Sequence, residues 1–335
     1  MKISFIAEND WANVLTEYSY CLNKHSEDIE AKSICLNKHP YNYSNQHDYD
    51  LSDCTYDQGL EAQKFIFESD IIIFGEEGAI QPTNYKVLEI YKQILGLDLL
   101  NSDKKLLIWH PGSHYRQNSK FYNNHPLRNR IHNHLYAIDL YRLSDRKEND
   151  FPLLPYQYFD FNYDVFILNF KKKLKNKPWT ILHIPSNINT KGTSEITNNI
   201  KNLNLNKTNF NYKVLTNISY KKVLEEKKKS IFYIDQYKPS IGGYGIASLE
   251  GLFTSNLTFA TVNNIGLPIQ KLTNNNEIGI IPLGENVNDL ANILNHFLNE
   301  LTSNEWIDHM EDIGDWVEKY YSPNSIINFF KKIIE

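Results

Sequence analysis

Three cysteines, Cys21, Cys35 and Cys54, are too few and too irregularly spaced for a disulfide framework. None sits in a C-x-x-C pair, and His25, His39 and His47 show no ligand spacing, so a zinc site is not expected. A reducing cytoplasm fits this thiol usage. No stretch approaches the roughly 18 consecutive apolar residues of a membrane span. The apolar start, Ile3-Ser4-Phe5-Ile6-Ala7, is too short for a signal peptide and reads as a first strand. Basic charge is not in excess either. Lys and Arg number 35 against 40 Asp and Glu, a net charge of -5, which gives no general reason to expect a nucleic-acid partner. Two basic runs, Lys171-Lys172-Lys173 and Lys227-Lys228-Lys229, read as solvated helix ends, with a basic face on anionic lipid as the alternative. The expected location is cytoplasmic, and peripheral contact at the inner membrane face stays open.

What is present is enough to fold. Hydrophobic residues make up 41% of the 335 and charged residues 22%, a length comfortable for two domains. Asn, Lys, Ile and Tyr are abundant, and the Asn-rich patches at Asn202 to Asn211 and Asn274-Asn275-Asn276 read as loops.

Short apolar runs alternate with longer amphipathic ones. In the first half, strands fit 2–7, 31–36, 70–74, 105–110 and, more weakly, 135–138; helices fit 11–24, 58–68 and 84–95. From Phe151 to Asp164, Pro152, Pro155 and a crowd of aromatics break any period, as a connection would. The alternation then restarts. Strands fit 179–184, 212–216, 230–235, 257–262 and 279–282; helices fit 193–203, 219–228, 244–254, 287–301 and 303–320. Ser322-Pro323 signals a last helix, with serine as N-cap and proline at the first helical position. The pattern predicts an α/β fold of two doubly wound domains facing a cleft, with ligand where strand carboxyl ends meet it. The expected boundaries are 1–160, 161–315 and a C-terminal helix 316–335.

The segment richest in chemistry runs from Ile234-Asp235-Gln236 through Gly242-Gly243-Tyr244-Gly245-Ile246 to Glu250. A strand ends in a glycine-rich turn that enters an apolar helix. Backbone N–H groups at such a helix start, with the helix dipole, suit an anion, usually a phosphate. Glu250, further down the helix, is suited to accept hydrogen bonds from sugar hydroxyls. About 50 residues earlier, the loop His183-Ile184-Pro185-Ser186-Asn187-Ile188-Asn189-Thr190-Lys191-Gly192-Thr193 also joins a strand to a helix. A lysine there reaches a diphosphate as a point charge, or is simply solvated. Both junctions lie on one sheet, so both can face one ligand.

These residues resemble the donor segments of family-four, retaining glycosyltransferases of the GT-B fold. The resemblance extends to Leu153-Leu154-Pro155 with Asp160 and Asp164 at the interdomain connection, and to Trp316 through Pro323 at the helix that crosses back to the first domain. Gly112-Ser113-His114-Tyr115-Arg116 is similar to a loop of some members. The second domain is covered well and the first weakly. The resemblance implies transfer of a sugar from a nucleotide-diphosphate-sugar donor, with retention and without an essential metal or other cofactor. It implies catalytic roles for Lys191 on the phosphates and for His110 or His114 near the donor sugar. Ser186, Asn187, Gly242, Gly243, Tyr244, Gly245, Glu250 and Arg116 would bind substrate, Glu250 at the ribose. Two positions depart from the family pattern: Gly242 stands where a sugar-binding glutamate is usual, and Ile188 is nearest to a missing arginine.

Other readings remain. The acceptor can be a glycan, a lipid-linked glycan or a small molecule. DNA is a further one, as for some viral glycosyltransferases, because Arg116, Arg128, Arg130, Arg142 and Arg146 cluster in the first domain. A nucleotide-sugar epimerase and a catalytically degenerate binding subunit are the alternatives on the same fold. Asp10, Trp11 and Asn13 follow the first strand and can touch acceptor or phosphate, or Asp10 simply caps a helix. Glu76-Glu77-Gly78 follows the 70–74 strand as an acceptor contact or a solvated loop. Asp48-Tyr49-Asp50 matches an Asp-x-Asp metal motif of another glycosyltransferase fold but lies in a polar loop, and reads as coincidence.

Overall fold

Parallel strands cannot be joined by tight hairpins, so each needs a crossover, usually a helix. The computed structural model follows that rule in two separate units. It describes residues 1–37, 43, 45–75, 92, 98, 103–145, 147–203, 209–266, 268–269 and 278–334. The helix expected at 84–95, Glu76-Glu77-Gly78, Arg146, His39 and Asn274-Asn275-Asn276 lie wholly or almost wholly outside the described residues.

The first unit comprises Met1–Tyr158 with Pro323–Glu335. Its strands are β1 (Lys2–Ala7), β2 (Glu30–Cys35), β3 (Tyr49–Asp50), β4 (Ile71–Gly75), β5 (Lys105–His110), β6 (Asn133–Ala137) and β7 (Asp150–Leu153). They pair in parallel in the order β3-β2-β1-β4-β5-β6-β7. Every residue of Ile71-Ile72-Ile73-Phe74-Gly75 is buried, as a strand covered on both faces requires. Helices α1 (Val14–His25), α2 (Tyr56–Glu68) and α3 (Ser113–Asn123) belong to this unit. Thr55 and Gln58 form a reciprocal capping box that starts α2. The last helix begins at Pro323, where the Ser322-Pro323 signal puts it, and runs to Ile334. Its Phe330 is fully buried, with its ring centroid 5.8 Å from that of Phe5 and 5.0 Å from that of Tyr18, both edge-on.

The second unit is Phe159–Ser322. Strands β8 (Trp179–His183), β9 (Phe210–Val214), β10 (Phe232–Gln236), β11 (Leu257–Ala260) and β12 (Ile281–Pro282) pair in parallel in the order β12-β11-β10-β8-β9. Helices α4 (Tyr163–Leu174), α5 (Thr193–Asn202), α6 (Tyr220–Lys229), α7 (Ile246–Phe253), α8 (Val287–Asn295) and α9 (Ser303–Tyr321) flank the sheet. Trp306 of α9 packs edge-on against Trp179 and Phe232 of the strands at 4.9 and 5.0 Å. The last helix of the chain is α10 (Pro323–Ile334), already placed in the first unit.

Several local expectations need correction. The helix after β1 starts at Val14, because Ala12 and Asn13 hold left-handed dihedrals, with φ of 56° and 60°. Asp10 still caps it, accepting from the Leu15 and Thr16 N–H groups at 3.0 and 2.8 Å. Residues 49–50 are an edge strand, not a polar loop. Residues 150–153, read in part as linker, form the seventh strand because Pro152 occupies an edge, where a missing donor costs little. The glycine-rich turn runs two residues further than expected, so Tyr244 precedes α7. Among the described residues, no helix is long and apolar enough to cross a membrane.

Candidate functional site

In the second unit β8 and β10 are neighbours, so the loops leaving their carboxyl ends lie side by side. The Tyr237 N–H donates to the Lys191 carbonyl at 3.0 Å. Gly192 has φ +66°, and a Cβ there would sit 2.0 Å from the Tyr237 carbonyl oxygen. Only glycine lets the two backbones approach this closely. His183, fully buried at the end of β8, holds the strand ends together. Its Nδ1 donates to the Ile234 carbonyl at 2.7 Å, so Nε2 is left to accept from the Thr193 hydroxyl at 2.9 Å. Burial lowers its pKa, in keeping with that neutral tautomer.

Lys191 emerges from this junction with its side chain 18% exposed. Its Nζ donates to Asp235 Oδ1 at 2.6 Å, and its other N–H bonds have no partner among the described residues. Asp235 is fully buried, and its second oxygen accepts from the Ser248 hydroxyl at 2.6 Å. Burial pushes the Asp235 carboxyl upward. The Lys191 charge and hydrogen bond, the Ser248 hydroxyl and the Lys227 charge outweigh it and hold the group below its ordinary value.

The glycine-rich turn closes beside this pair. Gln236 Nε2 donates to the Gly243 carbonyl. Gly242 has φ +59°, and a Cβ there would stand 2.2 Å from Asn263 Oδ1 and 2.5 Å from Asn264 Nδ2. The position where the resemblance leads one to expect a glutamate is therefore shaped for glycine. The Tyr244 ring points into the unit, where its hydroxyl meets that of Tyr321 at 3.0 Å. What this turn can offer a ligand is backbone. No side chain caps α7, and although the Ser248 N–H turns back to the Gly245 carbonyl at 3.1 Å, the N–H groups of Gly245 to Ala247 are left without intrahelical partners.

Glu250, expected at a ribose, is 6% exposed, and its Oε2 accepts from Lys227 Nζ at 2.7 Å. Lys227 is fully buried, donates also to the Ala247 carbonyl at 2.8 Å, and lies 4.1 Å from the Tyr233 ring centroid. Neither basic run is therefore simply a solvated end. Lys173, from the other run, is also buried; its Nζ donates to the Thr254 and Ser255 carbonyls and to Asn256 Oδ1. A helical periodicity signals both exceptions. Lys227 falls in register with Tyr220, Val223 and Leu224, and Lys173 with Phe166 and Phe170.

Ser186 and Asn187 are exposed. Asn187 shapes the lysine loop, its Oδ1 accepting from the Asn189 and Thr190 N–H groups at 2.9 and 3.1 Å.

The first-unit residues are in different surroundings. His110 is 1% exposed, stacked on Tyr136 at 4.7 Å, with Nε2 3.3 Å from His134 Nδ1. Burial first, then the Arg128 charge, pushes its pKa down to about 3, so it is neutral. His114 is half-buried at the start of α3, its Nδ1 2.8 Å from the Tyr122 hydroxyl. Arg116 is paired with Asp139 at 2.5 Å. Arg128 Nη2 donates to both carboxylate oxygens of buried Asp150, at 2.8 and 2.9 Å. The arginine cluster is thus partly spent inside the unit. Asp48 is engaged by Lys32 and by Ser33, and it lines a small polar hollow of about 220 Å³ with Asn13, His47 and Asp50.

No protein-family model matches the chain, and no curated protein matches it. Solved structures do. An alpha-glucosyltransferase in complex with UDP-glucose and DNA containing an abasic site aligns over 100% of this chain and 99% of its own, at 11% identity and a TM-score of 0.61. Sucrose-phosphate synthase from Thermosynechococcus elongatus aligns over 100% and 98%, at 10% identity and a TM-score of 0.59. S. aureus MnaA with UDP aligns over 99% and 95%, at 10% identity and a TM-score of 0.50. Likeness at this identity is likeness of fold. The architecture is the GT-B one that the motifs imply, two doubly wound units with the last helix returning to the first.

Proposed function

We propose that this protein is a glycosyltransferase that takes a nucleotide-diphosphate sugar and transfers its glycosyl group to an acceptor hydroxyl, with retention and without a metal. One observation carries the donor reading. The lysine loop and the glycine-rich turn, 50 residues apart in sequence, share a backbone hydrogen bond and bring Lys191 beside an uncapped helix start. A cation and convergent N–H groups suit the charge that builds on a leaving diphosphate. UDP or UDP-glucose in two of the fold neighbours supports the same ligand class. In this reading Lys191 and the N–H groups of Gly243 to Ile246 hold the phosphates, and Glu250 meets the ribose through Oε1, which has no partner among the described residues. His114 and Arg116 are the first-unit side chains for donor or acceptor. Buried His110 supports them through packing.

A thermal-shift panel of UDP, ADP, GDP and their sugars tests the reading. A ligand that binds only the folded state raises the melting temperature. At a hundred times Kd the gain is about 2.7 kcal/mol. No shift with any of them removes the proposal. Product formed without acceptor would turn it into an epimerase. The anomeric configuration of a transferred sugar, read by NMR, decides retention.

For the acceptor, a glycan, lipid-linked glycan or small molecule is the first reading, and DNA is the second. DNA is favoured by one neighbour that holds it and opposed by a net charge of -5 and by the internal pairing of Arg116 and Arg128. Transfer to duplex DNA across a salt titration separates the two.

A further inference from the structure

Two ion pairs flank the turn before α7, and they are built in opposite senses. In Lys191–Asp235 the carboxylate is fully buried and the lysine is 18% exposed. In Lys227–Glu250 the lysine is fully buried and the carboxylate is the outer member, at 6%. Each buried partner is anchored a second time, Asp235 by the Ser248 hydroxyl and Lys227 by the Ala247 carbonyl. Both anchors, Ala247 and Ser248, stand on the first turn of α7. The pairs also feel each other, since Lys227 contributes to holding Asp235 ionised. Lys191 uses one N–H on its partner and has others left. Glu250 uses one oxygen and has the other left.

We propose that Asp235 and Lys227 are positioning residues for one nucleotide site, Asp235 holding Lys191 toward the diphosphate and Lys227 holding Glu250 toward the ribose hydroxyls. The proposal rests on the nucleotide reading above. The physical reason is rotamer freedom. A lysine on a solvated loop loses conformational entropy when a phosphate fixes it, and a carboxylate partner that has already fixed it removes that cost from binding. Glu250 needs the converse device. Sunk at the second turn of an apolar helix, its carboxylate is compensated and aimed by the cation behind it, Lys227 Nζ at 2.7 Å. One pair presents a positive group and the other presents acceptors. The site as a whole stays close to neutral, with two lysines against two carboxylates.

The two pairs therefore read different parts of one ligand, and that separates them from a merely structural role. Calorimetric Kd values for UDP, UMP and 2′-deoxy-UDP are compared across variants. Asp235→Asn is expected to lower UDP affinity about tenfold, or about 1.4 kcal/mol, while UMP affinity changes far less, so the UDP-over-UMP preference collapses. Lys227→Met is expected to bring 2′-deoxy-UDP level with UDP while the UDP-over-UMP preference survives. Should either variant fold poorly, Ser248→Ala gives a milder, about threefold loss of the first preference. The joint Lys227→Met/Glu250→Gln variant removes both charges and still loses the second. Parallel losses for all three ligands, or wild-type ratios in the variants, overturn the positioning roles alone. A wild type that binds none of UDP, ADP or GDP overturns the nucleotide reading and this proposal with it.

Discussion

The carboxyl ends of β5 and β10 make an instructive pair, for each closes a central strand of a parallel sheet with polar residues in a buried setting. At the end of β5, His110 sits among Tyr115, Tyr122, Tyr136 and His134. Its neighbours are rings, and desolvation keeps it uncharged. At the end of β10, Asp235 sits among Lys191, Lys227 and Ser248, and desolvation is overcome. The difference is a directly bonded opposite charge: the carboxylate that acts on His110, Asp150, is already taken by Arg128, whereas Asp235 is bonded by Lys191 itself. A buried group keeps its charge only when a partner compensates for lost water; otherwise it titrates to neutrality. The first-unit cluster thus serves packing, and the second-unit cluster presents charge.

The largest test removes the compensation. Lys227→Met should strand Glu250 and cost about 3–5 kcal/mol in chemical denaturation. Adding Glu250→Gln should restore most of it. Lys228→Ala, one exposed position on, should stay within about 0.5 kcal/mol. Equal effects at 227 and 228 would erase the contrast.

A smaller effect is expected from acid. His110 is pushed down to about 3 by burial and then by the Arg128 charge, and His134 to about 2 chiefly by burial. Below the ordinary value of 6.5 the unfolded chain takes up protons that the folded chain refuses. Stability is therefore full above about pH 6.5 and falls as pH drops toward 3. At pH 5 each neutral histidine costs about 2 kcal/mol. Asp10, pushed up to about 6 by burial, works the other way between about pH 4 and 6. Comparing wild type with His110→Phe isolates the histidine term: the variant's melting temperature should decline less between pH 7 and 5. An unchanged decline would show that His110 is not held neutral.

The smallest effect concerns the turn. Gly242→Ala puts a Cβ on a left-handed residue, at about 1–2 kcal/mol, and against Asn263 and Asn264. UDP affinity should fall with it, whereas the β5 cluster, in the other unit, should keep its pH response.

Most of the fold was legible, because strands such as 70–74 and 105–110 carry unbroken apolar runs, Ile71 to Phe74 and Leu106 to Trp109, bounded by polar residues or glycine. Edge elements were not. Tyr49–Asp50 has only two residues, and Asp150–Leu153 contains a proline that argues against a central strand. The helix at 113–123 was hidden by its polarity and by an irregularity at Asn118, where φ is -122°. Within the candidate site, Lys191 and the glycine turn were readable from their place between strand and helix. Their partners were not, since contacts such as Lys191–Asp235 depend on tertiary placement. Lys227 was misread because a run of three lysines looks solvated, although its register with Tyr220 and Val223 pointed inward.

The division of the first unit has a consequence for how the chain is made. Its sheet comes from the beginning of the sequence, yet the ring that fills the space between Phe5 and Tyr18 belongs to Phe330. A ribosome emits the start first, so this core stays unsealed until everything from Phe159 to Ser322 has been synthesised. During that interval the nascent first unit shows apolar surface to its surroundings and depends on chaperone cover or slow collapse. A chain interrupted before Pro323 would lack that ring and leave the space between Phe5 and Tyr18 unfilled.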